Sequence, residues 1–184
     1  AHPTQGLLDA YTLCQHFNGA AGTQASLSDL HIGIVGDIKH SRVARTDVAA
    51  YSSLGAKITV VAPEALVPDD VSEWPVAVSD DLDAVLPDLD VVGLLRIQKE
   101  RITDDSLISI NDYIDRYGMT ESRADKLRTE VVITHPGPVN RGIEIADAVL
   151  DKRPNVLVQQ QVTNGVAVRM AVLFRLLGSG IEID

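Results

Sequence analysis

Two arginines follow two separate apolar runs in this sequence, and a third apolar run ends in a rigid turn. Val91-Val92-Gly93-Leu94-Leu95 leads into Arg96-Ile97-Gln98-Lys99-Glu100-Arg101. Ile32-Gly33-Ile34-Val35 leads into Gly36-Asp37-Ile38-Lys39-His40-Ser41-Arg42, and Val131-Val132-Ile133 runs on to His135-Pro136-Gly137-Pro138. A guanidinium is a planar fork that pairs with a carboxylate through two parallel hydrogen bonds. Two forks delivered from separate elements suit a ligand with two carboxylates, or with one carboxylate and a phosphate. Prolines fix φ and remove N–H donors, so the Pro-Gly-Pro turn presents carbonyl oxygens, which suit an amino or amide group. A charge run alone reads as a solvated loop. The three ends together single out Arg42, Arg96 and Gln98, whereas Lys99, Glu100 and Arg101 read as a salt-bridged scaffold.

These groups converge only if the apolar runs are neighbouring strands of one sheet. Pro3 opens a helix over residues 3–17 in which Leu7, Tyr11, Cys14 and Phe17 recur at helical spacing. After the Ile32–Val35 strand, Ser41 caps a helix with apolar positions Ala44, Val48, Tyr51 and Leu54. A second strand covers Lys57–Ala62, a short helix Leu82–Leu86, and a third strand Val91–Leu95. Helical pieces at Leu107–Tyr117 and Ser122–Leu127 precede a fourth strand at Val131–Ile133. A fifth strand is expected at Val156–Val158, and a final helix from about Val162 to Leu177, with Val166, Met170, Leu173 and Leu177 on one face. Short apolar strands alternating with helices imply an α/β domain: a doubly wound parallel sheet of about five strands with helices on both faces. In such sheets ligands bind at the carboxyl ends of the strands, where all three loops lie.

The composition narrows the options. The 184 residues carry 26 acidic against 16 basic side chains, a net charge of −10, which argues against binding nucleic acid or an anionic membrane. With one cysteine, Cys14, no internal disulfide forms, and a reducing, cytoplasmic setting fits. No signal peptide or membrane-length apolar run is seen. A dinucleotide site needs Gly-x-Gly-x-x-Gly in the first turn, and Gly33-Ile34-Val35-Gly36-Asp37 lacks that spacing. The histidines 2, 16, 31, 40 and 135 show no paired metal-ligand spacing.

His2-Pro3-Thr4-Gln5, the Gly36–Arg42 segment, Arg96–Arg101 and His135-Pro136-Gly137-Pro138-Val139-Asn140-Arg141-Gly142 occur in that order. Together they resemble the carboxyl-terminal, aspartate-binding domain of the aspartate carbamoyltransferase family, over essentially the whole chain. The resemblance implies transfer of a carbamoyl group from carbamoyl phosphate to the amino group of L-aspartate, in pyrimidine synthesis, with no cofactor and no metal. It implies that His2 stabilises the developing oxyanion, that Gln5 holds the carbamoyl amide, and that Arg42 and Arg96 clamp the aspartate carboxylates with help from Gln98. Carbonyls around Gly137 and Pro138 would position the carbamoyl amide. The related ornithine enzyme binds a cationic side chain, which Arg96 would repel.

Members of the family carry an amino-terminal domain with a Ser-Thr-Arg-Thr phosphate loop, and no such segment occurs in these 184 residues. The chain therefore reads as one domain of a trimeric enzyme, inactive alone. Its first and last helices, 1–17 and 162–177, would pack on the missing half. The alternative is a stand-alone module that binds an amino acid or dicarboxylate without catalysis.

Overall fold

A computed structural model describes residues 1–19, 25–97 and 109–178. Five strands form one wholly parallel sheet: β1 (His31–Val35), β2 (Lys57–Val61), β3 (Ala77–Ser79), β4 (Val91–Leu94) and β5 (Val132–Thr134). Their order is β3-β2-β1-β4-β5. Ile34 pairs with Val60 on one side and Gly93 on the other, and Val92 pairs with Ile133. Val35, Val60, Val91 and Val132 are fully buried, as strands covered on both faces require.

The helices are α1 (Pro3–Asn18), α2 (Arg42–Ser53), α3 (Leu82–Val85), α4 (Ile110–Tyr117), α5 (Glu121–Ala124), α6 (Asp147–Lys152) and α7 (Val158–Leu177). Side chains start several of them. Ser41 accepts from Ala44 N, Asp81 from Ala84 N and Ser109 from Asp112 N. The chain steps outward from β1 through β2 to β3, then crosses back to β4 and β5. Right-handed crossovers put α2 on one face and α3 and α4 on the other. α1 packs between α2 and α7, and α3 packs on α4. The order reverses between β1 and β4, so the loops leaving their carboxyl ends run to opposite faces of the sheet and leave a crevice there.

Two expectations are corrected at the sheet edges. Val156–Val158 is not a strand: Val156 makes one isolated bridge to Ile133, and Val158 already begins α7, four residues before the expected start. Gln159, Gln160 and Gln161 are good helix formers and draw the valine into the helix. The fifth strand is β3, at the opposite edge, where Val78 is half-exposed and little apolar patterning marks it. α1 leaves part of its apolar face open, as expected of a helix that would pack on a missing half. Leu7 and Tyr11 are about half exposed, at 50% and 47%, while Gln5, Asp9 and Thr12 are buried.

Candidate functional site

β1 ends at Val35 and the chain turns at Gly36, with φ +129° and its N–H bonded to Val61 O at 3.0 Å. A Cβ there would lie 3.0 Å from Leu95 O and 3.2 Å from the Tyr113 hydroxyl, so only glycine lets the exits of β1 and β4 run this close. The next residue, Asp37, is buried. Its carboxylate accepts from His40 N at 3.1 Å and from His40 Nδ1 at 2.9 Å. That brace shapes the loop, and Ser41 then starts α2 with Arg42 in its first position. The amino end of a helix disfavours a cation, a small cost that an anion bound by Arg42 would offset.

α1 delivers His2 to the same place. The Thr46 hydroxyl donates to Arg42 O at 3.0 Å and accepts the His2 backbone N–H at 2.8 Å, pinning the start of α1 to the first turn of α2. A cavity of about 270 Å³ results at the switch point. His2, Arg42, Arg96, Gly137 and Pro138 all line it, from four separate segments of the chain. Asp37 and His40 complete the wall, and the Asp37 charge is engaged by His40. Two guanidinium groups and one carboxylate thus line the cavity among the described residues, on a chain of net charge −10.

Gln5 is placed differently. It is buried away from the cavity lining, and its Nε2 donates to the Asp9 carboxylate at 3.0 and 3.1 Å. Gln98, Lys99, Glu100 and Arg101 lie outside the described residues.

One residue that holds the site together has no counterpart in the sequence reading. Glu144 is fully buried, and its carboxylate takes Ile97 N at 2.8 Å, Asn140 Nδ2 at 2.7 Å and Asn140 N at 2.6 Å. Asn140 Nδ2 also reaches Ile97 O at 3.0 Å. Glu144 therefore sets the loop carrying Arg96 against the loop carrying Gly137 and Pro138. Within the second loop the Gly137–Pro138 peptide is cis, and Gly137 N–H donates to His135 Nδ1 at 2.8 Å. A ring nitrogen that accepts carries no proton, so neutral His135 bears its hydrogen on Nε2, which faces Glu144 Oε2 at 3.7 Å. Tyr113, packed behind Gly36, is fully buried. Burial, then the charges of Glu144 and Asp37, push its phenol far above the ordinary range, so it stays a neutral hydroxyl.

The larger cavity, about 550 Å³, lies elsewhere, between α1 and α7. Its walls include Leu7, Tyr11, Val168, Val172 and Leu176, with Arg175 as the one charged lining residue. It lacks the convergent polar groups that orient a small polar ligand. Among the described residues no group of three or more His, Cys, Asp or Glu side chains is arranged to hold a metal ion, and no helix is long and apolar enough to cross a membrane.

Comparison with known proteins bears on the family of the chain. Residues 28–176 match the family model described as aspartate/ornithine carbamoyltransferase, Asp/Orn binding domain. The aspartate carbamoyltransferase catalytic subunit of Acidothermus cellulolyticus is 49% identical over 179 residues, covering 97% of this chain and 53% of that protein. The catalytic subunit of M. jannaschii aspartate transcarbamoylase superposes with a TM-score of 0.78 at 30% identity, over 97% of this chain and 56% of its own. Aspartate transcarbamoylase from Trypanosoma cruzi, solved in complex with N-(phosphonacetyl)-L-aspartic acid, superposes with a TM-score of 0.73 at 26% identity, over 94% of this chain and 53% of its own. The chain spans about half the length of the curated relatives it matches.

Proposed function

Because the chain belongs to the aspartate/ornithine carbamoyltransferase family, of which it carries the Asp/Orn-binding domain, we propose that its cavity binds L-aspartate for carbamoyl transfer. The reaction joins the carbamoyl group of carbamoyl phosphate to the aspartate amino group, giving N-carbamoyl-L-aspartate and phosphate in pyrimidine biosynthesis. The observation that carries this reading is the meeting of Arg42 and Arg96, from the exits of β1 and β4, in one cavity. Two guanidinium forks from different strands match a ligand with two carboxylates and oppose the ammonium of ornithine.

In this reading the aspartate carboxylates sit on Arg42 and Arg96, assisted by Gln98, and the carbonyl oxygens around Gly137 and Pro138 position the carbamoyl amide. Attack on the carbamoyl carbon places negative charge on its oxygen, which His2 at the cavity edge opposes. Gln5 contacts the carbamoyl amide only by giving up its bond to Asp9. Most of the acceleration comes from holding two anionic reactants in line against the wall that carries Arg42 and Arg96, a task that needs no cofactor. Carbamoyl phosphate is held by the half of the enzyme outside these 184 residues, which packs on the apolar faces of α1 and α7. The intact enzyme is a cytoplasmic trimer.

Titration calorimetry with L-aspartate, succinate and L-ornithine tests the binding reading. The dicarboxylates bind weakly, ornithine does not, and Arg42→Ala or Arg96→Ala each lowers succinate affinity at least about tenfold. Preference for ornithine, or indifference to both substitutions, overturns it. Carbamoyl-aspartate formation should be undetectable for the chain alone. It should appear when the chain is fused behind the amino-terminal half of the Acidothermus relative. A fused protein that binds succinate yet never turns over would favour a stand-alone binding module.

A further inference from the structure

Behind the cavity, the contact between α1 and α2 buries two carboxyl groups that the binding reading leaves unused. Asp9 on α1 is 2% exposed, and Asp47, little more than a turn beyond Arg42 on α2, is 6% exposed. Their surroundings differ. Asp9 Oδ1 accepts from Gln161 Nε2 at 2.7 Å and Gln5 Nε2 at 3.0 Å, and Oδ2 accepts from Gln5 at 3.1 Å. Asp47 Oδ1 is buried with no hydrogen-bond partner among the described residues. Two neighbouring buried carboxyls do not both ionise readily. Donors already converge on Asp9, so Asp9 is the anion and Asp47 the acid.

We propose that Asp9 and Asp47 work at neutral pH as one carboxyl pair holding a single proton, and that this pair is a positioning element for the cavity. The link to the cavity is a chain of amides. With Nε2 of Gln161 turned to Asp9, its Oε1 must face the other way, where it accepts the His135 backbone N–H at 2.9 Å. His135 in turn anchors the Gly137 N–H. Gln5, also turned to Asp9, lies in the first turn of α1, where its backbone N–H donates to His2 O at 3.0 Å. Asp9 thus fixes the origins of two cavity walls, and Asp47 is buried on α2, the helix that carries Arg42.

Burial raises the Asp9 carboxyl to about 6, against the opposing effects of Gln161, Gln5 and the charge of Arg169 on α7. Burial, then the Asp9 charge, raises Asp47 well above the carboxylate range. Tyr51 on α2 also bears on the pair; it is buried and neutral, its phenol raised by burial and by both aspartates. Both folded values exceed the unfolded one near ~3.9. The stabilisation from the neutral forms is therefore complete below that value. It is lost as pH rises through about 6 for Asp9 and through a higher pH for Asp47. The upper step places a second anion where Asp47 Oδ1 has no donor, and it loosens α1 from α2.

The positioning role rests on the binding reading above; the shared proton does not. Carbon-13 NMR of the aspartate carboxyls in the 184-residue chain should show one group titrating near pH 6 and one at higher pH. The His135 and Gly137 amide resonances should follow both steps. Succinate affinity should fall on the order of tenfold across the upper step. In Asp47→Asn the upper step should vanish from all three readouts while the lower one persists. Titration of both carboxyls near pH ~4, or His135 and Gly137 amides that ignore both steps, overturns the proposal. The wild-type titration decides alone if Asp47→Asn fails to fold. A chain that titrates as expected but binds no dicarboxylate at any pH keeps the proton pair and overturns its positioning role together with the binding reading.

Discussion

Glu144 Oε1 accepts the Ile97 backbone N–H at 2.8 Å across 47 residues of chain. That one bond joins the exit of β4 to the loop after β5, and the same carboxylate holds Asn140 through two further bonds. Arg96 directly precedes Ile97, and Pro138 lies two residues before Asn140. The separation of the two loops across the cavity is thus set largely by one buried side chain.

Glu144→Ala takes the acceptor from the buried Ile97 N–H and from two donors of half-buried Asn140, at a cost on the order of 3 kcal/mol. Glu144→Gln retains the size and one acceptor oxygen but turns an NH2 group towards either Ile97 N–H or Asn140 N–H. Even this substitution is expected to lower stability by about 1–3 kcal/mol, and succinate affinity by about tenfold. Urea unfolding with calorimetry on the same preparations checks both. Wild-type affinity in Glu144→Gln would show that the loops hold their spacing without the carboxylate.

Gly6 supports a second prediction, about how His2 reaches the cavity. A Cβ on Gly6 would lie 2.6 Å from Thr46 Cγ2 and 3.3 Å from Thr46 O. Thr46 cannot rotate away cheaply, because its hydroxyl is engaged by both His2 N and Arg42 O. Gly6→Ala gains about 1 kcal/mol of helix propensity yet is expected to be a net loss of about 1–2 kcal/mol through overpacking, with weaker ligand binding as α1 lifts from α2. Gly165→Ala is the control. There the nearest atom, at 2.5 Å, is the guanidinium end of Arg169, which can swing aside. Thermal melts should separate the two variants, and a Gly6→Ala protein as stable as Gly165→Ala would refute the close-approach account.

The sheet and the convergence of Arg42 and Arg96 on one cavity were legible for the same reason. Strands buried on both faces leave uninterrupted apolar runs, as at Val91–Leu94, and the residues just after such a run lie at the ligand edge of a parallel sheet. β3 was not legible, since a three-residue edge strand with Val78 half-exposed needs no apolar alternation. Val156–Val158 misled because β-branched residues also fit the start of a helix whose next residues favour it. Glu144 sits between Ile143 and Ile145 and reads as the outward member of an alternating stretch; its burial depends on donors arriving from a loop 47 residues away. Asp9 and Asp47 were hidden by a general expectation that acids on helices face water. α1 departs from it by burying its polar residues against α2 and α7 while Leu7 and Tyr11 stay half exposed.

That reversal carries the last prediction. On α7, Val166, Met170, Leu173, Phe174 and Leu177 are 56–75% exposed and recur at helical spacing as one apolar stripe, apart from the cavity that Leu7 and Tyr11 line. Contiguous apolar area on this scale seeks a partner. If the rest of the enzyme normally covers it, the 184-residue chain has nothing to bury it against except another copy of itself. Concentration-dependent association is therefore expected in light scattering, strengthened by sulfate, which favours burial of apolar surface. Leu173→Lys with Phe174→Glu should restore a monomer with little change in succinate affinity, because neither residue lines the switch-point cavity. A wild-type chain that stays monodisperse and monomeric at high concentration would remove the reason for placing an interface there.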